Sequence, residues 1–284
     1  MRRFATGSRV ADALRVASER LPGEEARREA EILLEAVLQR GRAWLFAYSD
    51  AVLTDADLAR FDALVQQRAD GQPVAYLLGQ REFFGLTLRV SPATLIPRAD
   101  TETLVEQALQ LLGARQGVRV LDLGTGSGAM ALALAHHLPH SEVWATDRSD
   151  AALQIAQGNA QQLGIGNVHF VAGDWWRALP PDVGAFDLIV SNPPYIDADD
   201  PHLQEGDLRF EPRSALVADE HGLADLRWII DGAPAHLSPG GWLLLEHGWQ
   251  QGEAVRDLLC QAGAQEVATV TDLGGQPRVS LGRW

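Results

Sequence analysis

Cysteine is almost missing from this chain: Cys260 stands alone among 284 residues. That excludes an intramolecular disulfide framework and suits a reducing compartment, so a cytoplasmic protein is expected. Long apolar runs are missing as well. Nothing approaches the roughly 18 consecutive apolar residues of a membrane-spanning helix, so no membrane partner is expected. The start, "MRRFATGSRVADALRVASERL", has two arginines but no apolar core behind them, and does not read as a signal peptide. Basic residues are scarce: Lys and Arg number 24 against 38 Asp and Glu, a net charge of -14. A protein whose main ligand is a phosphate backbone usually carries a basic stripe, because counterion release dominates that affinity. A local patch around Arg27 and Arg28 is conceivable, but nucleic acid is disfavoured as the main partner. A basic protein fits better. Repeats and low-complexity segments are absent, and at 46% hydrophobic the chain has ample material for a packed core. Its length suits one large domain, or a medium one with a smaller one attached.

The first seventy-odd residues alternate apolar and charged side chains at helical spacing. "SRVADALRVASERL" places Val10, Leu14 and Leu21 on one face, with Ser8 as the expected N-cap. "GEEARREAEILLEAVLQRG" sets Glu24 and Glu25 in a first turn and Gly41 just past the end. "LTDADLARFDALVQQRADG" starts at Thr54 or Asp55 and closes at Gly71. Helices without strands between them predict a small bundle, either a structural appendage or a module that docks a partner. Residues 76–97 change character. Phe84, Leu86, Leu88 and Val90 alternate, a Ser-Pro turn follows, and a second apolar run ends the segment, which predicts a hairpin linking two domains.

From Val118 the pattern becomes βαβα. "VRVLDLG", "SEVWATD", "NVHFVAGD", "FDLIVSN" and "GWLLLEH" read as strands, with helices over Ala129 to His137 and Ala151 to Leu163. Strands alternating with helices predict an α/β fold, a parallel sheet covered on both faces. "EVATVTDLGGQPRVSLGRW" reads as two antiparallel strands around a Gly-Gly turn at the sheet's edge.

The first sheet strand runs into Gly124-Thr125-Gly126-Ser127-Gly128, whose glycines allow a tight turn and a close approach to a ligand. The spacing also fits a dinucleotide fingerprint with Ala129 last, so the loop alone does not choose a ligand. Asp122, two residues before the first glycine, favours a ligand carrying an ammonium or sulfonium charge over a pyrophosphate. Asp147 ends the second strand, where a carboxylate can accept from both ribose hydroxyls. At the end of the third strand, Asp174 can accept from an adenine amino group and Trp175 can wall the ring, unless Trp175 is simply a core aromatic. Ligands of open α/β sheets sit outside the carboxyl ends of the strands. The set suits S-adenosylmethionine.

The fourth strand ends in Asn192-Pro193-Pro194-Tyr195, and each proline fixes its own φ and removes a donor. A methyl acceptor must sit about 3–3.5 Å from the carbon it attacks. If the acceptor is a planar, conjugated NH2, its lone pair is delocalised and its nucleophilicity poor. The Asn192 side-chain oxygen and the Pro193 carbonyl can take its two protons, favour a pyramidal nitrogen and disperse the growing positive charge. Tyr195 can pack on the planar group, while the prolines, Pro194 included, keep the carbonyl aimed. The plain alternative is a proline-rich loop that merely leaves the sheet.

Asn192 to Tyr195, the glycine loop, "LIPRADTETLVEQAL" and "DLRFEPRSALVADEHGLADLRWII" together resemble the PrmC/HemK family, over nearly the whole chain. One departure is Ala99, where that family usually has proline. The resemblance implies a helical substrate-docking domain over residues 1–75, the linker over 76–97 and a seven-stranded, Rossmann-like class I methyltransferase domain over 98–284. It also implies S-adenosylmethionine as cofactor, with Asn192 touching both cofactor and acceptor. Peptide-chain release factors are the implied partners, the glutamine of their Gly-Gly-Gln loop entering the Asn-Pro-Pro-Tyr pocket. The chain's own Gly274-Gly275-Gln276 reads as a hairpin turn. The Asn-Pro-Pro-Tyr motif also serves N6-adenine methyltransferases, which act on a flipped base, and that reading stays open as the alternative. A nicotinamide oxidoreductase would keep the glycine loop and leave the motif unexplained.

Overall fold

The computed structural model describes residues 4–284, so the two arginines at positions 2 and 3 lie outside it. Two compact units make up the chain: one reaches Gly79 and also takes in Gln204–Phe210, the other comprises Gln80–Leu203 and Glu211–Trp284.

The first unit contains α1 (Val10–Arg20), α2 (Ala26–Leu38), α3 (Arg42–Ala47), α4 (Asp55–Ala69) and α5 (Val74–Leu78). Their apolar stripes meet in a core that includes Val10, Leu14, Leu33, Leu34, Phe61 and Val65. Thr54 caps α4, its hydroxyl accepting from the Asp57 amide. Two caps differ from expectation. Arg9 precedes α1, while the Ser8 hydroxyl donates to the Ala5 carbonyl at 2.6 Å. Helix α2 stops three residues before Gly41 because Gln39 turns left-handed at φ 52°, and Gly41 instead caps α3. Arg27 and Arg28 form no free basic patch: both pair with the buried Glu31, and Arg28 also with Glu35. The distant segment Gln204–Phe210 is held by Arg68, which grips both oxygens of Glu29 at 2.8 Å and reaches Asp207 at 3.0 Å.

The second unit opens with a hairpin, β1 (Gln80–Phe83) and β2 (Leu86–Arg89). Its turn is Phe84-Gly85, with φ 50° and 78°, and not the Ser-Pro step expected from the sequence. A two-residue loop between antiparallel strands needs positive φ at both positions, which Gly85 supplies freely. Leu86 and Leu88 face the core and Thr87 and Arg89 face outward, and Val90 is buried, so the alternation holds from Leu86 on, while Phe84 sits in the turn itself.

The order then runs α6 (Ala99–Leu112), β3 (Arg119–Leu123), α7 (Ala129–His137), β4 (Glu142–Asp147), α8 (Asp150–Leu163), β5 (Val168–Ala172), β6 (Phe186–Ser191), α9 (Ala224–Gly232), β7 (Leu237–Glu246), α10 (Gly252–Gln261), β8 (Gln265–Thr271) and β9 (Pro277–Arg283). The seven strands β3–β9 form one sheet in the order β5-β4-β3-β6-β7-β9-β8, antiparallel only where β9 meets β7 and β8. Side chains alternate between two buried faces. Val120, Leu188, Val190 and Leu244 pack with α6, α7 and the hairpin; Leu121, Leu123, Ile189, Leu243 and Leu245 pack with α9 and α10. The Gly274-Gly275-Gln276 stretch is the β8–β9 turn, closed by the Asp272 amide on the Gln276 carbonyl at 2.9 Å. Among the described residues no helix is long and apolar enough to cross a membrane.

Candidate active site

The sheet's order reverses between β3 and β6, which are neighbours although β4 and β5 intervene in the chain. The two strands stay paired to Leu123 and Ser191, and the connections leaving their carboxyl ends part there and leave a crevice. A cavity of about 260 Å³ occupies it, lined by the glycine loop and the ends of β4, β5 and β6.

The floor is the loop after β3. The amides of Gly124 and Thr125 both donate to the Thr146 carbonyl, at 2.9 and 2.8 Å, so the loop continues the sheet before turning. Asp147 then fixes it from β4: its Oδ2 accepts from the Gly126 amide and its Oδ1 from the Ser149 amide, each at 2.8 Å. Each oxygen keeps a second lone pair, and Asp147 lines the cavity. Gly124 sits at φ 76°, and a Cβ there would lie 3.2 Å from the Trp175 ring. Trp175 itself takes a left-handed φ of 46°, a costly conformation for a bulky residue, and its Nε1 is anchored on Asp225 at 3.3 Å. The indole lines the cavity and also packs against the core on that side of the sheet.

The roof is formed by Pro212, Ser214 and Ala215 together with Thr94, Leu95 and Pro97. Arg148 donates to the Ser214 carbonyl at 2.9 Å, and Glu211 accepts from the Ile96 amide at 3.0 Å while pairing with Arg98. Arg148 is thus committed to the roof, and the other charged lining groups are the carboxylates of Asp147 and Asp174. Such a lining suits hydroxyl donors and a cationic ligand and disfavours a pyrophosphate.

At the mouth, Asn192 and Pro194 line the cavity. The Asn192 Nδ2 donates to Thr101 Oγ1 at 3.2 Å, which leaves its Oδ1 as the end without a hydrogen bond among the described residues. The Pro193 carbonyl likewise receives no hydrogen bond from a described residue.

The sequence-derived candidates therefore divide. Gly124, Thr125, Gly126, Ser127, Asp147, Asp174, Trp175, Asn192 and Pro194 meet around the cavity. Four do not line it. Asp122 is fully buried beneath the loop, its Oδ2 accepting from Thr125 Oγ1 at 2.7 Å and from the Ala131 amide at 3.1 Å. It holds the loop to α7 instead of facing a ligand, and burial raises its carboxyl to about 7. Gly128, at φ 84°, makes room for α8: a Cβ there would lie 3.1 Å from Ala156 Cβ. Pro193 is buried, and its carbonyl is what it can offer. Tyr195 does not reach the cavity as a stacking ring; its hydroxyl donates to Glu246 Oε1 at 3.1 Å, and burial pushes its own titration upward. Sequence reasoning missed Thr101, Arg148 and the Ser214 segment. The "LIPRADTET" and "FEPRSAL" stretches were the available signal for two of these.

Residues 12–79 match the PrmC N-terminal domain and residues 114–272 a methyltransferase domain. The release factor glutamine methyltransferase of Salmonella typhimurium is 56% identical over 261 residues, 92% of this chain and 93% of that protein. The chain belongs to the release factor glutamine methyltransferase family. The protein of that name from Xylella fastidiosa strain Temecula1 is 58% identical over 255 residues, 90% of this chain and 92% of its own. A methyltransferase from Pyrococcus furiosus superposes with a TM-score of 0.53 at 20% identity, over 70% of this chain and 89% of that one, which shows a shared fold. In this methyltransferase Ala99 is the first residue of α6, following Arg98 in extended conformation, the position in a helix where proline is best tolerated.

Proposed function

We propose that this enzyme moves a methyl group from S-adenosylmethionine to the side-chain amide nitrogen (N5) of the glutamine in the Gly-Gly-Gln loop of class I peptide-chain release factors. The observation that carries the reading is Asn192. Its nitrogen is tied to Thr101 and its oxygen is left for a donor at the cavity mouth, beside the unpaired Pro193 carbonyl.

S-adenosylmethionine, when bound, supplies a methyl group made electrophilic by its sulfonium charge. The chain does the rest. Asp147, immobilised by two backbone amides, offers its remaining lone pairs to the ribose hydroxyls. Trp175 covers the adenine and Asp174 accepts from its amino group. Asn192 Oδ1 and the Pro193 carbonyl accept hydrogen bonds from the two N–H groups of the acceptor amide and draw its nitrogen toward a pyramidal shape. As the N–CH3 bond forms and the S–CH3 bond breaks, that nitrogen becomes cationic, so both interactions strengthen in the transition state, and one N–H proton then leaves to solvent. The prolines keep the two acceptors from turning away and lower the cost of organising them. A net charge of -14 argues against nucleic acid in the same pocket.

The first unit is the docking element in this reading. Phe46, Tyr48 and Val52 stand exposed on it, with Arg42 over the Phe46 ring at 5.4 Å. Replacing Phe46 and Tyr48 by Ser should raise KM for the release factor and leave cofactor affinity unchanged; an unchanged KM would remove the docking role. The substrate assignment is tested with a release factor whose loop glutamine is replaced. It should accept no methyl group, and a labelled product, or a preference for DNA or RNA, would overturn the assignment.

A further inference from the structure

The Asn-Pro-Pro-Tyr stretch is fastened at both ends. Upstream, the Ser191 hydroxyl donates to the Leu123 carbonyl at 2.7 Å and holds the end of β6 against β3. Downstream, Tyr195 is held twice from the end of β7 and the turn that follows it. Glu246 takes its hydroxyl, and the Gln251 Nε2 donates to its carbonyl at 3.0 Å. Between these anchors the two prolines have fixed φ, so few soft torsions remain through which the Pro193 carbonyl can turn.

Both ends of the Gln251 side-chain amide are engaged. Its Oε1 accepts from the Gly248 amide at 2.8 Å, while its Nε2 donates to the Tyr195 carbonyl and, at 3.2 Å, to the His221 carbonyl. A backbone amide only donates and a carbonyl only accepts, so the flipped side chain would serve none of the three. The segment it grips is strained. Glu220 and His221 are both left-handed, at φ 53° and 56°, where L side chains are uncommon. Gly222 follows at φ 83°, and a Cβ there would collide with the Tyr195 carbonyl oxygen. His221 Nδ1 also lies 2.7 Å from Asp197 Oδ2, two residues past Tyr195. Such backbone persists only where its surroundings over-determine it, and strain of this kind gathers at functional sites. Yet none of these residues lines the cofactor cavity.

We propose that Gln251 is a positioning residue for methyl transfer: its amide clasps the Tyr195 carbonyl against the left-handed Glu220-His221-Gly222 segment, and so keeps the Pro193 carbonyl and Asn192 aimed at the acceptor nitrogen. The proposal rests on the amide-methylation reading above, since that aim matters only if the two groups receive the acceptor's N–H bonds. Gln251 acts through Tyr195 and is not itself a catalytic residue. A misplacement of about 1 Å at a reacting centre can cost on the order of 10²-fold in rate. A clasp outside the cavity can therefore govern turnover without changing what the cavity binds.

The test uses the intact chain, S-adenosylmethionine and release factor, with the variants Gln251→Glu and Gln251→Met. Glutamate keeps the length and an acceptor for Gly248 but has no donor for the two carbonyls; methionine keeps the bulk and neither function. Each should lower kcat about 10- to 100-fold, with KM for release factor and cofactor affinity by calorimetry nearly unchanged. In an Asn192→Ala background the same change should cost far less, because one of the groups it aims is gone and residues that act as a unit are not additive. Wild-type kcat in either variant would overturn the proposal. So would a matching loss of cofactor affinity, or losses that multiply in full in the double variant, since a general loosening of the fold gives both. Cofactor binding identifies a variant that fails to fold, and the other then decides; failure of both would make Gln251 structural and end the proposal. The side-chain amide resonances of Asn192 in isotope-labelled protein supply a readout without any acceptor. They should move in Gln251→Met, and unmoved resonances would also overturn it. Should the natural enzyme leave release factor unmethylated, the substrate reading falls, while these resonances still decide the clasp.

Discussion

At the scale of single residues, the proposed mechanism needs a few acceptors left unpaired in fixed places, as Asn192 Oδ1 and the Pro193 carbonyl are among the described residues. Asn192→Ala removes one of the two proposed to hold the acceptor nitrogen. Turnover should fall about 10²–10³-fold with cofactor affinity nearly intact, by analogy with deleting one transition-state hydrogen-bonding group. Steady-state kinetics beside calorimetry would show it, and a loss confined to cofactor binding would contradict the assignment. Asp147→Ala should weaken S-adenosylmethionine binding by roughly 1–3 kcal/mol, since it deletes a charge-assisted acceptor and loosens the Gly126 amide. Unchanged affinity in a folded variant would remove Asp147 from the ribose. Asn192, Asp147 and Trp175 stood out in the sequence because each lies at or just past a strand's carboxyl end, where ligands of such sheets sit. Asp122 also lies near a strand end and was misplaced, because no pattern tells whether a carboxylate points above the loop or beneath it. Only its hydrogen bonds to Thr125 and Ala131 decide.

At the scale of elements, period and punctuation carried far but not evenly. The five parallel strands declared themselves as short apolar runs, and the central ones, β3, β6 and β7, bury side chains on both faces. The hairpin was visible while its turn was not, since Phe84 at φ 50° is an unusual residue for the first turn position. Segments that cover the cavity have no period at all: Pro212 to Ala215 is fixed by residues far along the chain, Arg148 on Ser214 and Ile96 and Arg98 on the neighbouring Glu211. Helix α6 offers a test of local design. Arg98 has φ -101° and ψ 147°, which a following proline prefers, and the first helical residue needs no amide donor. Ala99→Pro should therefore stabilise the protein by about 0.4–1 kcal/mol, chiefly by restricting the unfolded chain. Urea unfolding measures it, and destabilisation would mean that the backbone at Ala99 is not the one described.

At the scale of the whole molecule, two carboxylates are buried where ionisation is disfavoured, Asp122 and Glu246, each raised by burial to about 7 from ordinary values of 3.8 and 4.5. A carboxyl titrating higher in the folded state than in the unfolded one contributes no penalty at low pH, when it is protonated in both. The penalty grows as the unfolded chain ionises first and is complete above the folded value. Stability of the ligand-free protein should therefore decline between about pH 4 and pH 7, by an amount on the order of a few kcal/mol per group. The net charge of -14 adds self-repulsion in the same direction. Urea midpoints across that range would show it, and Asp122→Asn should flatten the slope; a midpoint that rises with pH would contradict the burial argument. Composition foretold the charge and the lack of disulfides. It could not foretell that Gln204–Phe210 belongs with the first unit, because that rests on one arginine pairing with Asp207 across 139 positions.

Which atom the enzyme methylates is read most plainly by mass spectrometry. Purified release factor is incubated with this enzyme and S-adenosylmethionine carrying an isotope-labelled methyl group, digested, and the loop peptide fragmented in a mass spectrometer. One labelled methyl group is expected, on the side-chain amide nitrogen of the Gly-Gly-Gln glutamine. A label on any other residue, or none on the loop peptide while the enzyme binds its cofactor, would contradict it.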